Sequence, residues 1–220
     1  MSSRPNSRPN DTPPAGSALT EYLFRAFALL VYGGFVAIIA RYWWASPERY
    51  TLLLLLLSEG LTVALLLAAR RAVLRDASPL AIAATTLALS FFLFFEYSGT
   101  NRLIPEWAGA TLQALGLTWQ LIAKLALGRS FGVLPASRGL VTRGPYRVVR
   151  HPIYLGYLIG HLGFLLSNFS LQNVAVLAML YAAQTVRMLR EEAVLKDGAQ
   201  GPAYTAYCAD VRWRIVPLLF

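Results

Sequence analysis

A small set of residues in the second half of the chain has the types and spacing that chemistry requires: Tyr146, Arg150, His151, Pro152, Tyr154, Arg187, Glu191 and Glu192. Proline disfavours helix in the residue before it and is favoured at the first helical position. His151 is therefore expected at the mouth of a helix beginning at Pro152, where outward-facing backbone N–H groups attract anions. Arg150 adds a fixed cation there. A bound carboxylate or phosphate satisfies this pattern, and so does a capped helix with Arg150 among lipid headgroups. The turn signal Gly144-Pro145-Tyr146 delivers Tyr146 to the same mouth. Tyr154 and Tyr157 follow on the first turns of the helix, three apart, as a cation–π seat or as part of an interfacial tyrosine belt.

The second cluster is Arg187-Met188-Leu189-Arg190-Glu191-Glu192. Arg187 and Glu191 lie four apart on one helical face and can pair, while Glu192 points about 100° away. Adjacent carboxylates beside an arginine can bind a polar ligand or position a nucleophile, or form a solvated helix end. Between the two clusters run apolar segments 153–166 and 171–186, joined by Ser167-Asn168-Phe169-Ser170. A helical hairpin over these segments returns Arg187 and the two glutamates to the face where Arg150 and His151 began.

The elements that position these residues are hydrophobic. Of 220 residues, 56% are hydrophobic and 14% charged, with mean hydropathy +0.50; soluble domains carry about 25% charged residues. The apolar residues are blocked rather than scattered, with runs at 19–45, 51–69, 79–95 and 105–127 before the hairpin. Each of these approaches the roughly 20 residues that a bilayer core demands. The expected fold is an all-α, polytopic membrane bundle of five or six segments, the last two a hairpin. The net charge of +9 sits at the ends of apolar blocks, which marks membrane orientation and not a nucleic-acid surface. Arg70, Arg71, Arg75 and the arginines between Gly128 and Arg150 place both termini and the basic loop in the cytoplasm of an inner or plasma membrane. Arg41 and Arg49 run against that bias, Glu48 partly offsetting them. Residues 1–18, rich in Pro, Ser and Asn, are expected to be disordered and do not read as a signal peptide.

Other polar residues carry less. Glu59 lies midway along the second apolar run, where an acid is a functional hypothesis by default, although a protonated, hydrogen-bonded glutamic acid accounts for it equally. His161 reads as a satisfied buried histidine. One cysteine and two histidines argue against a disulfide framework or a structural zinc site, and Cys208 is given no role. The aromatic and basic tail after Gly201 is suited to lie on the membrane surface or to close over the site.

Taken together, Gly144-Pro145-Tyr146, Arg150-His151-Pro152, Tyr154 and Gly156, followed by Arg187, Glu191, Glu192 and Leu195 and by Tyr204 and Tyr207, resemble the isoprenylcysteine carboxyl methyltransferase family and its relatives, the membrane phospholipid methyltransferases. The resemblance covers residues 128–217 and makes 128–220 a methyltransferase-like region behind four membrane helices at 19–127. It implies S-adenosyl-L-methionine as methyl donor, with Tyr146, Arg150, His151, Pro152, Tyr154 and Glu192 toward the cofactor. Arg187 and Glu191 become the catalytic pair acting on a lipophilic or membrane-associated substrate among membrane lipids. The tail from Tyr207 to Pro217 is also similar to that of membrane sterol reductases, which use a nicotinamide dinucleotide. A non-catalytic lipid-binding protein on the same scaffold is a further alternative.

Overall fold

Apolar runs bounded by proline and polar turns become helices. The computed structural model describes residues 15–68, 78–98, 100–127, 140–198 and 200–220. Most of the expected N-terminal tail, the Arg70/Arg71/Arg75 loop, and Arg129 and Arg138 of the basic loop lie outside these residues. Among the described residues the structure is all-helical. The helices are α1 (Ala15–Ala45), α2 (Tyr50–Ala68), α3 (Pro79–Ser90), α4 (Glu106–Leu127), α5 (Pro152–Ser167), α6 (Leu171–Asp197) and α7 (Gly201–Asp210). Short 3₁₀ turns at Phe91–Phe94 and Gly144–Arg147 extend α3 and precede α5.

Helices α1 to α6 pack as a ring in which α1 meets α2, α2 meets α4 and also α5, α4 meets α5, α5 meets α6, α6 meets α3 and α3 meets α1. The centre is aromatic: Phe35, Phe91, Phe92, Phe95, Tyr97 and Phe164 are buried with Leu52, Leu55 and Leu180. Large apolar side chains such as Leu30, Trp44, Trp107 and Leu125 face outward instead, the pattern of a surface that meets a non-aqueous neighbour. By length and hydropathy together, one helix among the described residues can cross a bilayer alone, over Arg25–Ala45, against the five or six expected. The apolar stretches Tyr50–Ala64, Ile82–Phe94 and Pro152–Ser167 are shorter. Inward-facing polar residues such as Glu59, Gln113, Gln120 and Lys124 interrupt the apolar runs.

The α5–α6 hairpin reaches the far end of the bundle rather than turning back within it. Its turn is locked beside the α1–α2 and α3–α4 connections. Arg49 donates from Nη2 to Asn168 Oδ1 at 2.5 Å and from Nη1 to the Tyr97 carbonyl at 2.6 Å. Asn168 in turn donates to Thr51 Oγ1 at 3.1 Å, and Thr51 donates from its hydroxyl to Glu106 Oε1 at 2.6 Å. Asn173 completes the cap by donating to the carbonyls of Glu96 and Asn168 at 3.0 and 2.7 Å. Arg49, the cation that sat awkwardly in the charge reading, is thus a structural donor of this cap.

The tightest seam joins α4 to α5, where glycines let backbone touch backbone. A Cβ added at Gly116 would lie 2.6 Å from both the Gly156 carbonyl and the Gly160 nitrogen, and one at Gly163 would lie 2.6 Å from the Gly109 carbonyl. Small residues permit such approach between apolar helices. At Gly160 an added Cβ meets nothing within 4 Å. Gly116→Ala is therefore expected to lower thermal stability in detergent by on the order of 1–3 kcal/mol through overpacking. Gly160→Ala should leave it unchanged or raise it by up to about 1 kcal/mol through helix propensity; equal effects of the two would contradict the packing described.

Candidate functional site

Proline placement builds the site's corner. His151 is the N-cap of α5 with φ −123° and ψ 63°, and Pro152 opens the helix. The Gly144–Arg147 turn, in which Gly144 takes φ +62°, sets Tyr146 inward, where it is buried with Pro145. The α5–α6 hairpin then brings the end of α6 back to this corner.

The Glu192 carboxylate lies at the meeting point, with its side chain 4% exposed. Its Oε1 is 3.2 Å from His151 Nε2, 3.4 Å from Arg150 Nε and 3.3 Å from Arg214 Nε. The anion that the Arg150-His151 corner attracts is thus supplied, at least once, by the chain itself. Burial alone would raise this carboxyl, but the hydrogen bond and charge of His151, then the charges of Arg150 and Arg214, outweigh it and hold the group at about 2.

The tail closes the corner and does not lie apart on a surface. The Arg150 N–H donates to the Trp213 carbonyl and the His151 N–H to the Arg214 carbonyl, both at 2.8 Å. Helix α7 is held by Tyr204, Tyr207 and Val211, which pack with Leu140 and Leu195. The Tyr207 hydroxyl donates to the Tyr146 carbonyl at 2.7 Å.

Glu191 differs from its neighbour. It is half-buried, and among the described residues it makes no hydrogen bond or ion pair. Its charge reaches the hydroxyls of Tyr146 and Tyr154. Burial first, and Glu191 second, hold the Tyr146 hydroxyl above its ordinary value, so it is a neutral phenol. Arg187 turns to Gln184, with Nη1 donating to Oε1 at 2.8 Å, and not to Glu191. Its Cζ lies 5.9 Å from the centre of the Tyr154 ring. The two tyrosines of α5 do act as cation–π seats, Tyr154 for Arg187 and Tyr157 for Lys124, whose Nζ is 4.9 Å from the Tyr157 ring centre. Pro152 is buried behind His151, and the ring of His151 meets that of Tyr154 edge-on at 5.7 Å.

All eight expected site residues therefore collect at one end of the bundle, around two carboxylates with different surroundings. His161 lies deeper, its Nδ1 3.0 Å from the Tyr181 hydroxyl and its ring 5.1 Å from Phe91. Two participants escape a reading of motifs. Arg214 looked like one more basic residue of the tail. Lys124 carried a usable signal, a cation inside an apolar run, that passed without notice.

A knot of this kind predicts its own fragility. Removing one partner of a buried ionic cluster costs on the order of 3–5 kcal/mol, so Glu192→Gln should lower the unfolding temperature and open the tail to limited proteolysis. Glu191→Gln should do neither. Because the folded Glu192 carboxyl lies below its ordinary value of 4.5, its contribution is whole above that value and drains as pH falls from there toward about 2. An acid titration of tail proteolysis in wild type and Glu192→Gln reads this directly, since only the wild type should show that transition.

Comparison with known proteins finds similarity over this part of the chain. Residues 105–198 match the family model of the phospholipid methyltransferases, a stretch that takes in α4, the basic loop, α5 and α6. The chain is 34% identical over 111 residues to a cobalt-zinc-cadmium resistance protein of Cupriavidus metallidurans, covering 49% of this chain and 49% of that protein. It is 29% identical over 108 residues to a nickel-cobalt-cadmium resistance protein of Alcaligenes xylosoxydans xylosoxydans, covering 47% and 50%. The chain thus spans about half the length of the curated relatives it matches. The corner and the paired acids both lie inside the stretch that is similar to the phospholipid methyltransferases.

Proposed function

We propose that this protein is an integral membrane methyltransferase that uses S-adenosyl-L-methionine and acts on a lipophilic acceptor. The observation that carries the reading is the contact of His151 with Glu192. It makes one site of two motifs 41 residues apart, within the stretch that matches the family.

The residues present suit a zwitterionic cofactor with polar hydroxyls. Arg150 Nε faces Glu192 at 3.4 Å, and the guanidinium it belongs to supplies the fixed positive charge for an aminoacyl carboxylate. Glu191 offers a carboxylate to hydroxyl or amino groups, and Tyr146 and Tyr154 supply aromatic walls. Pro152 fixes the backbone that presents His151. Glu192, already engaged by three partners, positions Arg150 and His151. Arg187, set over Tyr154, holds or orients the acceptor. S-adenosyl-L-methionine supplies an already activated methyl group. What remains for the chain is alignment and exclusion of water, and the docked tail with its buried tyrosines serves the second of these. A carboxylate or thiolate acceptor then needs no general base, whereas an amine must arrive neutral.

The six ring helices cross the membrane on this reading, the shorter ones relying on partners for their inward polar groups. The site, with Arg143, Arg147 and Arg190 at its end of the bundle, faces the cytoplasm by the positive-inside rule. The acceptor reaches it from the bilayer. Purified protein should bind S-adenosylhomocysteine saturably and pass a labelled methyl group to a component of its own membrane extract. Glu191→Gln should reduce that transfer by about tenfold or more, the worth of a charged hydrogen bond, with Arg187→Ala lowering it as well. Saturable binding of NADPH without S-adenosylhomocysteine would assign the site to nicotinamide chemistry instead.

A further inference from the structure

A second polar cluster lies inside the ring where α2, α4 and α5 meet. Glu59 is 5% exposed and Lys124 3%. The Lys124 ammonium donates to Thr62 Oγ1 at 3.2 Å, Gln120 Oε1 at 3.2 Å and the Tyr157 hydroxyl at 3.3 Å. Thr62 and Tyr157 are also hydrogen-bonded to each other. Glu59 lies within electrostatic range of Lys124, yet among the described residues Glu59 Oε1 is fully buried and accepts no hydrogen bond.

These facts set the chemistry of what is missing. A buried carboxylate oxygen without a donor is costly, and acids held inside apolar bundles mark ligand paths. Lys124 stands within electrostatic range, so a second cation is not required, and an acceptor oxygen does not suit an anion. An uncharged group carrying O–H or N–H is the complement. The cluster is also continuous with the site at the bundle's end. Tyr157, which holds Lys124, stands one helical turn from Tyr154, over which Arg187 lies.

We propose that Glu59 is a seat for the neutral hydrogen-bond-donating head, a hydroxyl or uncharged amine or amide, of a membrane-soluble ligand. Its identification with the methyl acceptor rests on the methyltransferase reading above; the seat itself does not.

The probes are a twelve-carbon primary alcohol bearing a mid-chain diazirine, the corresponding primary amide, and the methyl ether of the alcohol, which can accept but not donate. The full chain in phosphatidylcholine nanodiscs is photolabelled and the modified peptides are mapped. The alcohol and the amide should label α2, α4 and α5 saturably, about tenfold more than the ether, the worth of one hydrogen bond to a charged acceptor. Glu59→Leu should abolish that preference. Glu59→Gln, which keeps a neutral acceptor oxygen, should retain a smaller preference and serves as the folding control. Equal labelling by alcohol and ether in the wild type, or a preference that survives in Glu59→Leu, overturns the proposal and leaves Glu59 a structural acid. S-adenosylhomocysteine binding on the same samples tests the enzyme reading separately, since its loss in wild type would strike the methyltransferase and leave the labelling contrast standing.

Discussion

The burial of one carboxylate conditions the functional end of this molecule. A charge withdrawn from water is tolerated only when partners replace the solvent around it, and Glu192 takes its partners from three places. Arg150 comes from the loop, His151 from the helix cap and Arg214 from the tail. Arg150 and His151 are neighbours in the chain, but Glu192 lies 41 residues beyond His151 and Arg214 another 22 beyond Glu192. Each therefore depends on the rest being in place: the Arg150-His151 corner, the end of the last long helix and the C-terminal segment support one another through this carboxylate.

The opposite end of the bundle obeys the same rule with different chemistry. There Arg49, Asn168, Thr51 and Glu106 tie three connections into one cap through short hydrogen bonds. Between the ends the helices are held by an aromatic centre and by one seam of bare backbone. The aromatic centre shares the interior with the polar group of Glu59, Gln120 and Lys124. One end holds the structure shut, while at the other Glu191, without a hydrogen bond or ion pair among the described residues, lies close enough for its charge to act on Tyr146 and Tyr154.

Much of this was legible in the chain. Proline at position 152 predicts where α5 begins, the polar turn at 167–170 predicts the hairpin, and the hairpin predicts that Glu191 and Glu192 return to Arg150 and His151. Spacing also separates the two acids by face. It cannot say which face meets the corner, because that depends on the rotation of α6 against α5, which packing against α3 helps to decide. Arg214 was illegible for a similar reason: a tail without periodicity offers no register from which to infer a contact. Arg187 shows the limit of local rules, since it prefers Gln184, three residues back, to the acid four residues on. The glycines of α4 and α5 lie seven apart in each helix, Gly109 with Gly116 and Gly156 with Gly163, a repeat that becomes meaningful only once the two helices are known to be neighbours.

That glycine seam has a mechanical consequence. Side chains can change rotamer and so give an interface some play, whereas two main chains in contact have almost none. Helices α4 and α5 thus form a stiff spine, and Lys124, Tyr154 and Tyr157 ride on it at fixed separation. The other joints of the ring, lined by side chains, lack this constraint, which makes the α4–α5 pair the fixed frame of the described bundle.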